Sequence, residues 1–328
     1  MPGLNEVPQV VIRGGGVAAY CCAHLLKQAN VADAGLGVPA ILIGEGTQSL
    51  LMDVFERRDL FVGLPRIDKR IVAWGPGAAL KVLPHAAVVV SEFELIERLR
   101  SESLLEVPDA DAPAWTIYAG RKSHPDAQER AFGSRRAAVM RVKLRERTDR
   151  AACWIESLEE GWMFLIPGDG EGWLLAVGGS VEEMLGVSRV VGAEIQKVST
   201  CLGEFAAFPR ISDPLGGAEW LACGTAAMGF DPICGDGVGN AVREAILAAA
   251  VVRGGGSEEL VAHYRMRLLA GFARHLEQCL PFYDCGHAGP WWTAERESLR
   301  EGIEWCRARL AEAGPFRFRL AGFELERL

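Results

Sequence analysis

Two strand, glycine-turn and helix units, set roughly two hundred positions apart, constrain this chain more than any other feature. The first is Val10-Val11-Ile12, followed by Gly14-Gly15-Gly16-Val17-Ala18-Ala19 and an apolar run from Tyr20 to Leu26. The second is Cys223-Gly224-Thr225-Ala226-Ala227, which runs into Asp231-Pro232-Ile233-Cys234-Gly235-Asp236-Gly237 and then an alanine-rich apolar stretch. A strand that ends in a glycine turn presents the unpaired N–H groups of the next helix to whatever lies beyond it, and an anion is favoured there. Two such units can close on one extended dinucleotide from opposite sides.

Within the first unit each residue type has a physical task. Gly14 permits the tight turn, Gly16 lets the backbone approach a pyrophosphate, and Ala19 allows close packing of helix on strand. Asn30 to Pro39 reads as a loop, and Ala40-Ile41-Leu42-Ile43 as a second strand that completes a βαβ unit. Glu45, near the end of that strand, is then placed to accept from ribose hydroxyls. The bland alternative is that the glycines serve an ordinary left-handed turn.

The intervening chain divides by period. Ser49 to Leu64 reads as helix, Arg70 to Trp74 as a strand before the turn Gly75-Pro76-Gly77, and Val88-Val89-Val90 as another strand. Ser91 is positioned to cap a helix from Glu92 to Arg100. Trp115-Thr116-Ile117-Tyr118 returns as strand, after which Ala138 to Leu144, Cys153 to Ser157, Gly161 to Ile166 and Trp173 to Val177 form a mainly antiparallel layer. From Glu258 onward the apolar positions Leu260, Tyr264, Leu268 and Phe272 keep helical spacing.

Composition narrows the class. With 328 residues and 49% hydrophobic content the chain can bury a substantial core. A balance of 35 Lys and Arg against 43 Asp and Glu, formally −8, argues against a nucleic-acid surface. The nine cysteines show neither a CxxC pair nor regular spacing, so reduced thiols in a cytoplasmic protein are expected, with no metal site. Met1 to Glu6 carries no basic segment, and no apolar run reaches the roughly 18 residues of a membrane span.

The chain resembles the p-hydroxybenzoate-hydroxylase-type flavoproteins, and within them the branch of flavin-dependent halogenases and related monooxygenases. Three segments carry the likeness: Gly14-x-Gly16-x-x-Ala19; Gly224-x-Ala226-Ala227 with Asp231-Pro232-x-x-Gly235-x-Gly237; and Trp162-Met163-Phe164-Leu165-Ile166-Pro167, which is similar to a WxWxIP segment. Phe282-Tyr283 and Trp291-Trp292 add a fainter aromatic echo. The resemblance implies an α/β fold, with a Rossmann-like FAD/NAD(P)-binding domain, an antiparallel β substrate domain and a helical C-terminal region. The corresponding segments are 1–125 and 200–256 for FAD, 126–199 for substrate and 257–328 for the helices, with 61–87 open to assignment to the substrate layer. FAD is the implied cofactor. Gly14, Gly15, Gly16, Ala18, Ala19, Glu45, Gly224, Thr225, Asp231, Pro232, Gly235 and Gly237 are its expected contacts.

Departures from the family pattern shape the functional expectation. Thr225 stands where the family has Asp, Ala119-Gly120 where it has an Asp-Gly pair that touches flavin and reduced nicotinamide, and only fourteen residues separate Arg100 from Trp115, a shortened crossover. Arg66 aligns with the halogenase lysine, and a guanidinium stays protonated, so it is a poor nucleophile. The leading expectation is a monooxygenase that acts through a flavin C4a-hydroperoxide on a small or peptidyl substrate, supplied by a separate flavin reductase. A flavin-dependent reductase or halogenase, and a catalytically silent flavin-fold binding protein, stay open. Catalytic candidates are Arg66, Trp162 and Phe164, with Trp173 as a further wall. Arg135-Arg136 and Arg141 are candidates for binding an acidic substrate, although charges on a half-exposed sheet are usually solvated. His124 and His287 lie in loops within reach of a cleft. Cys234 is read as a small thiol packed in a tight turn.

Overall fold

A computed structural model describes residues 9–28, 30–31, 37–100, 115–168 and 170–328. Strand β1 (Val10–Arg13) pairs in parallel with β2 (Asn30–Val31) on one side and β6 (Trp115–Tyr118) on the other, and helix α1 (Val17–Leu26) connects β1 to β2. Beyond β6 come parallel β15 (Trp220–Ala222) and the antiparallel edge strand β14 (Gly216–Gly217). Register brings Arg13, Tyr118 and Ala222 level at the carboxyl ends of three neighbouring strands. The chain leaves β1 toward β2 and later adds β6 on the opposite flank, so a topological switch point lies between β1 and β6, where open α/β sheets hold their ligands.

The second layer is an eight-stranded sheet in the order β12-β8-β11-β10-β9-β4-β5-β3. Its members are β3 (Ile41–Gly44), β4 (Arg66–Ala73), β5 (Lys81–Val90), β8 (Arg136–Leu144), β9 (Ala152–Leu158), β10 (Gly161–Pro167), β11 (Glu171–Gly178) and β12 (Ile195–Ala206). All pairings are antiparallel except β4 with β9. A small sheet joins β7 (Gln128–Ala131), β13 (Arg210–Asp213) and β16 (Met228–Gly229). Helices α2 (Glu45–Val54), α3 (Glu92–Leu99), α4 (Val181–Val187) and α5 (Val191–Glu194) fill the connections. The Ser91 hydroxyl accepts from the Glu94 N–H, the cap expected for α3.

Several expectations need correction. The parallel neighbour of β1 on the crossover side is β2, inside the stretch read as loop, whereas Ile41–Gly44 pairs antiparallel with β5 in the other sheet. Two residues of strand leave no hydrophobic period to detect, and Ile41-Leu42-Ile43 satisfies either sheet equally well. Glu45 therefore does not end the second strand of the βαβ unit; it opens α2 and is exposed. That helix stops at Val54, earlier than the apolar pattern implied, and Glu56 follows at φ +53°. Strand β12 runs across the expected boundary at residues 199 and 200. The C-terminal region is helical only to Glu312: after α7 (Glu258–Asp284) and α8 (Pro290–Glu312), β17 (Phe318–Ala321) and β18 (Glu324–Arg327) form a hairpin. Met1 to Glu6 and the shortened crossover between Arg100 and Trp115 lie outside the described residues. Among the described residues no helix is long and apolar enough to cross a membrane.

Helix α6 (Gly237–Arg253) packs along α1 with Ala245, Ala248 and Ala249 wholly buried, and Ala19 and Ala23 are equally buried on α1. Small side chains on both helices allow the close approach that brings the two glycine turns together. Leu260, Tyr264, Leu268 and Phe272 of α7 all enter the same core, and the Tyr264 hydroxyl donates to the Ala222 carbonyl at 2.6 Å.

One buried acid sits inside this junction. Glu244 on α6 accepts from the Gly224 N–H at 2.7 Å and has its pKa pushed up to about 8, by burial outweighing that hydrogen bond. The fold thus favours the neutral carboxyl. Its contribution is complete below the ordinary value of 4.5 and is lost as pH rises through about 8. Glu244→Gln is predicted to match the wild type near pH 4.5 and to exceed it in stability at pH 8 by on the order of several kcal/mol. Chemical denaturation at both pH values measures this, and a difference that does not grow with pH contradicts the assignment.

Candidate functional site

A cavity of about 330 Å³ opens between one face of the eight-stranded sheet and the turn that precedes α6. The sheet contributes Leu42, Arg70, His85, Ile155, Trp162 and Phe164; the other wall is Pro232 to Asp236 with Arg243, and the start of α2 closes one end with Gly44, Gly46 and Thr47. His85 reaches it through a bulge, because Ile67 pairs with Ala87 while Lys69 already pairs with Pro84, leaving two residues opposite Asp68. Arg70 Nη2 and His85 Nε2 lie 3.2 Å apart, and burial, with Arg70 adding to it, lowers the His85 pKa. The pair therefore offers one fixed positive charge beside a neutral imidazole. Across from it, Asp236 accepts from Thr47 Oγ1 at 2.8 Å and from Arg243 Nη1 at 2.8 Å while capping α6.

The turn itself is built from a buried carboxylate. Asp231 Oδ1 accepts from the Ile233 N–H at 2.9 Å, and Oδ2 accepts from Arg135 Nε at 2.8 Å and the Tyr283 hydroxyl at 2.7 Å. Arg135 also pairs with Glu295, which accepts from the Ser134 N–H and hydroxyl. Burial would favour a neutral Arg135, but Asp231, Tyr283 and Glu295 around it hold it protonated. Trp162 Nε1 approaches the Tyr283 hydroxyl at 3.3 Å, so the cavity wall is tied to the same cluster. The Asp231 N–H donates to His275 Nε2 at 2.9 Å, and burial keeps that imidazole neutral, its pKa pushed down to about 4. The Asp231 side chain is fully enclosed, so it shapes the turn rather than meeting a ligand.

At the switch point the glycine turns are locked together. A Cβ on Gly14, at φ +142°, would stand 2.5 Å from the Gly120 nitrogen, and one on Gly224 would stand 2.7 Å from the Ala18 Cβ. Both positions are fixed by packing between turns. Gly16 differs, because among the described residues a Cβ there would meet only Glu92 Oε1, at 3.7 Å, and α1 has no side-chain cap from them. That open face at a helix N-terminus fits a closely approaching phosphate group. Glu92 opposes it: the carboxylate, held by the Val38 N–H at 2.8 Å, brings negative charge to the same place.

The remaining candidates separate clearly. Gly15 borders the first turn, Ala18 and Ala19 are buried in α1, Thr225 is exposed in a short 3-10 turn, and Pro232 and Gly235 line the cavity while Gly237 opens α6. Arg66 is exposed at the start of β4, and Trp173 is absent from the cavity lining. Arg136 and Arg141 form exposed pairs with Glu204 and Glu171, unlike Arg135 in its buried cluster. His124 stacks on Trp220 with ring centroids 4.2 Å apart, and His287 lies beside Trp292; neither lines the cavity. Sequence reasoning missed Arg70, His85, Asp236 and Arg243. Only Asp236 carried a local signal, as a cap residue before a helix.

No family model and no curated protein matches the sequence. Among solved structures the chain is similar to the peptidyl tryptophan dihydroxylase QhpG, essential for tryptophylquinone cofactor biogenesis, with TM-score 0.69 and 16% identity over 88% of this chain and 78% of that one. It is similar to BrvH, a flavin-dependent halogenase from Brevundimonas sp. BAL3, with TM-score 0.73 and 11% identity over 92% and 84% of the two chains. A tryptophan halogenase from Shewanella frigidimarina NCIMB 400 gives TM-score 0.70 and 13% identity over 94% and 83%. At this identity the likeness is one of fold: the chain has the architecture of the flavin-dependent halogenase and monooxygenase branch.

Proposed function

We propose that this protein is an FAD-dependent oxidoreductase of the monooxygenase type. The observation that carries the proposal is the convergence of glycine turns at the carboxyl ends of β1, β6 and β15, beside a second turn that forms one wall of a sheet-covered cavity. Solved structures of the same fold include enzymes described as flavin-dependent. Gly15 and Gly16 would hold the pyrophosphate end, with Ala18 and Ala19 packed behind them and Gly224 and Thr225 along the linker. Pro232, Gly235 and Gly237 would face the ring, on a turn positioned by Asp231. Reduced FAD, when bound, supplies the electrons that activate oxygen.

This chain's own residues then have three tasks. Trp162, Phe164, Ile155 and Leu42 exclude water and present an apolar wall to an organic or peptidyl substrate. Arg70, backed by neutral His85, offers a charged donor to an acidic or oxygen-rich substituent. Backbone N–H groups at the start of α6 favour negative charge near the ring. Ala119-Gly120 offers no acid to a nicotinamide, which supports electron supply by a separate reductase. Halogenation by a lysine route finds no support, because among the described residues no lysine lines the cavity and Arg66 lies outside it.

A second reading, a flavin-free binding protein on the old fold, is favoured by one observation: Glu92 occupies the surroundings of Gly16 with the wrong charge for a phosphate. The two readings part on FAD affinity. Gly16→Glu is expected to abolish binding, and Glu92→Gln to tighten it about fivefold to tenfold by removing a partly screened repulsion. Flavin fluorescence titration measures both, and unchanged affinity in both variants removes the first turn from the site. For the reaction itself, reduced holoprotein mixed with oxygen is expected to reoxidise in two resolved phases. A single phase that releases stoichiometric hydrogen peroxide contradicts monooxygenation.

A further inference from the structure

We propose that Cys234 and Cys279 form a redox-active dithiol, which closes to a disulfide when a hydroperoxide enters the cavity. Their sulfurs lie 3.3 Å apart although the residues are distant in sequence. Cys234 is half-buried and lines the cavity on the turn before α6, while Cys279 is buried on α7. The pair therefore joins a thiol that a small oxidant can reach to one that it cannot. Cys22 and Cys223 are also close, at 3.8 Å, but both are fully buried away from the cavity. They provide an internal comparison.

The chemistry divides between the two sulfurs. Cys234 attacks one oxygen of hydrogen peroxide, the O–O bond breaks, and the departing hydroxide leaves as water with the thiol proton, so that Cys234 becomes a sulfenic acid. Cys279 then attacks that sulfur, the S–S bond forms, the S–O bond breaks, and a second water leaves with the proton of Cys279. Two thiols are oxidised by two electrons and one peroxide is reduced to two waters. Burial pushes the Cys279 thiol well up, which suits the resolving rather than the attacking role.

The same three side chains have ligand atoms within 4.8 Å of one another, and Cys, His, Cys is a zinc-binding set. The dithiol is favoured because His275 Nε2 is already engaged by the Asp231 N–H, and the two sulfurs, at 3.3 Å, lie closer than the roughly 3.8 Å that two thiolates keep on one tetrahedral zinc. Peroxide leaking from an oxygen-activating flavin is one source of oxidant, and that source rests on the proposed function. Reactivity toward added peroxide does not, so the two can fail separately.

The test uses the full chain, reduced, desalted and exposed to hydrogen peroxide. Of nine titratable thiols two are expected to disappear, peptide mapping should find Cys234 linked to Cys279, and dithiothreitol should restore both. Cys279→Ser should instead leave a dimedone-reactive sulfenic acid at Cys234, and Cys22→Ser should leave the cross-link unchanged. If Cys279→Ser does not fold, the wild-type map decides alone. A link between Cys22 and Cys223, two unmodified thiols in excess peroxide, or protection of both thiols by one equivalent of co-purified zinc would each overturn the proposal.

Discussion

The enclosed contact between Arg135 and Asp231 is the interaction on which the candidate site depends. Two carboxylates, one guanidinium and a phenol share an enclosed space, and two walls of the cavity, the turn after Asp231 and Trp162, connect to it directly. Removing one partner from such a cluster costs about 3–5 kcal/mol, because the other charge stays buried and unpaired. The cluster also draws on distant parts of the chain: Ser134 and Arg135 precede β8, Asp231 precedes α6, and Tyr283 and Glu295 belong to α7 and α8. The helical C-terminal pair is thus an anchor for the turn and not merely a cover.

From that anchor the geometry propagates outward. Asp231 fixes the turn, the turn sets the start of α6, and α6 lies against α1 through small side chains. The two glycine units seen first in the sequence therefore form one junction, joined by the packing of Gly224 on Ala18 and by Glu244 beneath the Gly224 N–H, while Gly14 packs on the Ala119-Gly120 turn between them. Charge marks the two ends of this junction differently. Under the proposed function Glu92 would stand at the phosphate side and Asp236 at the ring side, each at the beginning of a helix where an anion is stabilised. Both acids accept from protein groups, Glu92 from the Val38 N–H and Asp236 from Thr47 and Arg243, and a bound anionic cofactor would have to displace or tolerate them.

Much of the fold was legible because periodic patterns and glycine turns are local. The antiparallel strands from β8 to β11, the Ser91 cap and the α7 stripe of Leu260, Tyr264, Leu268 and Phe272 all follow from nearest-neighbour chemistry. What was illegible depended on pairing. Nothing within Asn30-Val31 distinguishes a two-residue parallel strand from a loop, and Ile41–Gly44 carries no mark of which sheet it joins. The same holds for the site. Trp162 and Phe164, which line the cavity, belong to a recognisable segment, whereas Arg70 and His85 reach it beside a bulge that exists only when β4 meets β5. Arg135 looked like one of several sheet arginines until its partners arrived from three other elements.

The proposed function requires that the junction of the two glycine units hold FAD. Equilibrium titration of FAD into the purified protein, followed by the perturbed visible flavin spectrum and by chromatography of what is retained after desalting, tests it most directly. One FAD per chain, with the spectrum shifted from that of free flavin, is the result this account predicts. A chain that is properly folded, colourless and indifferent to excess FAD contradicts it.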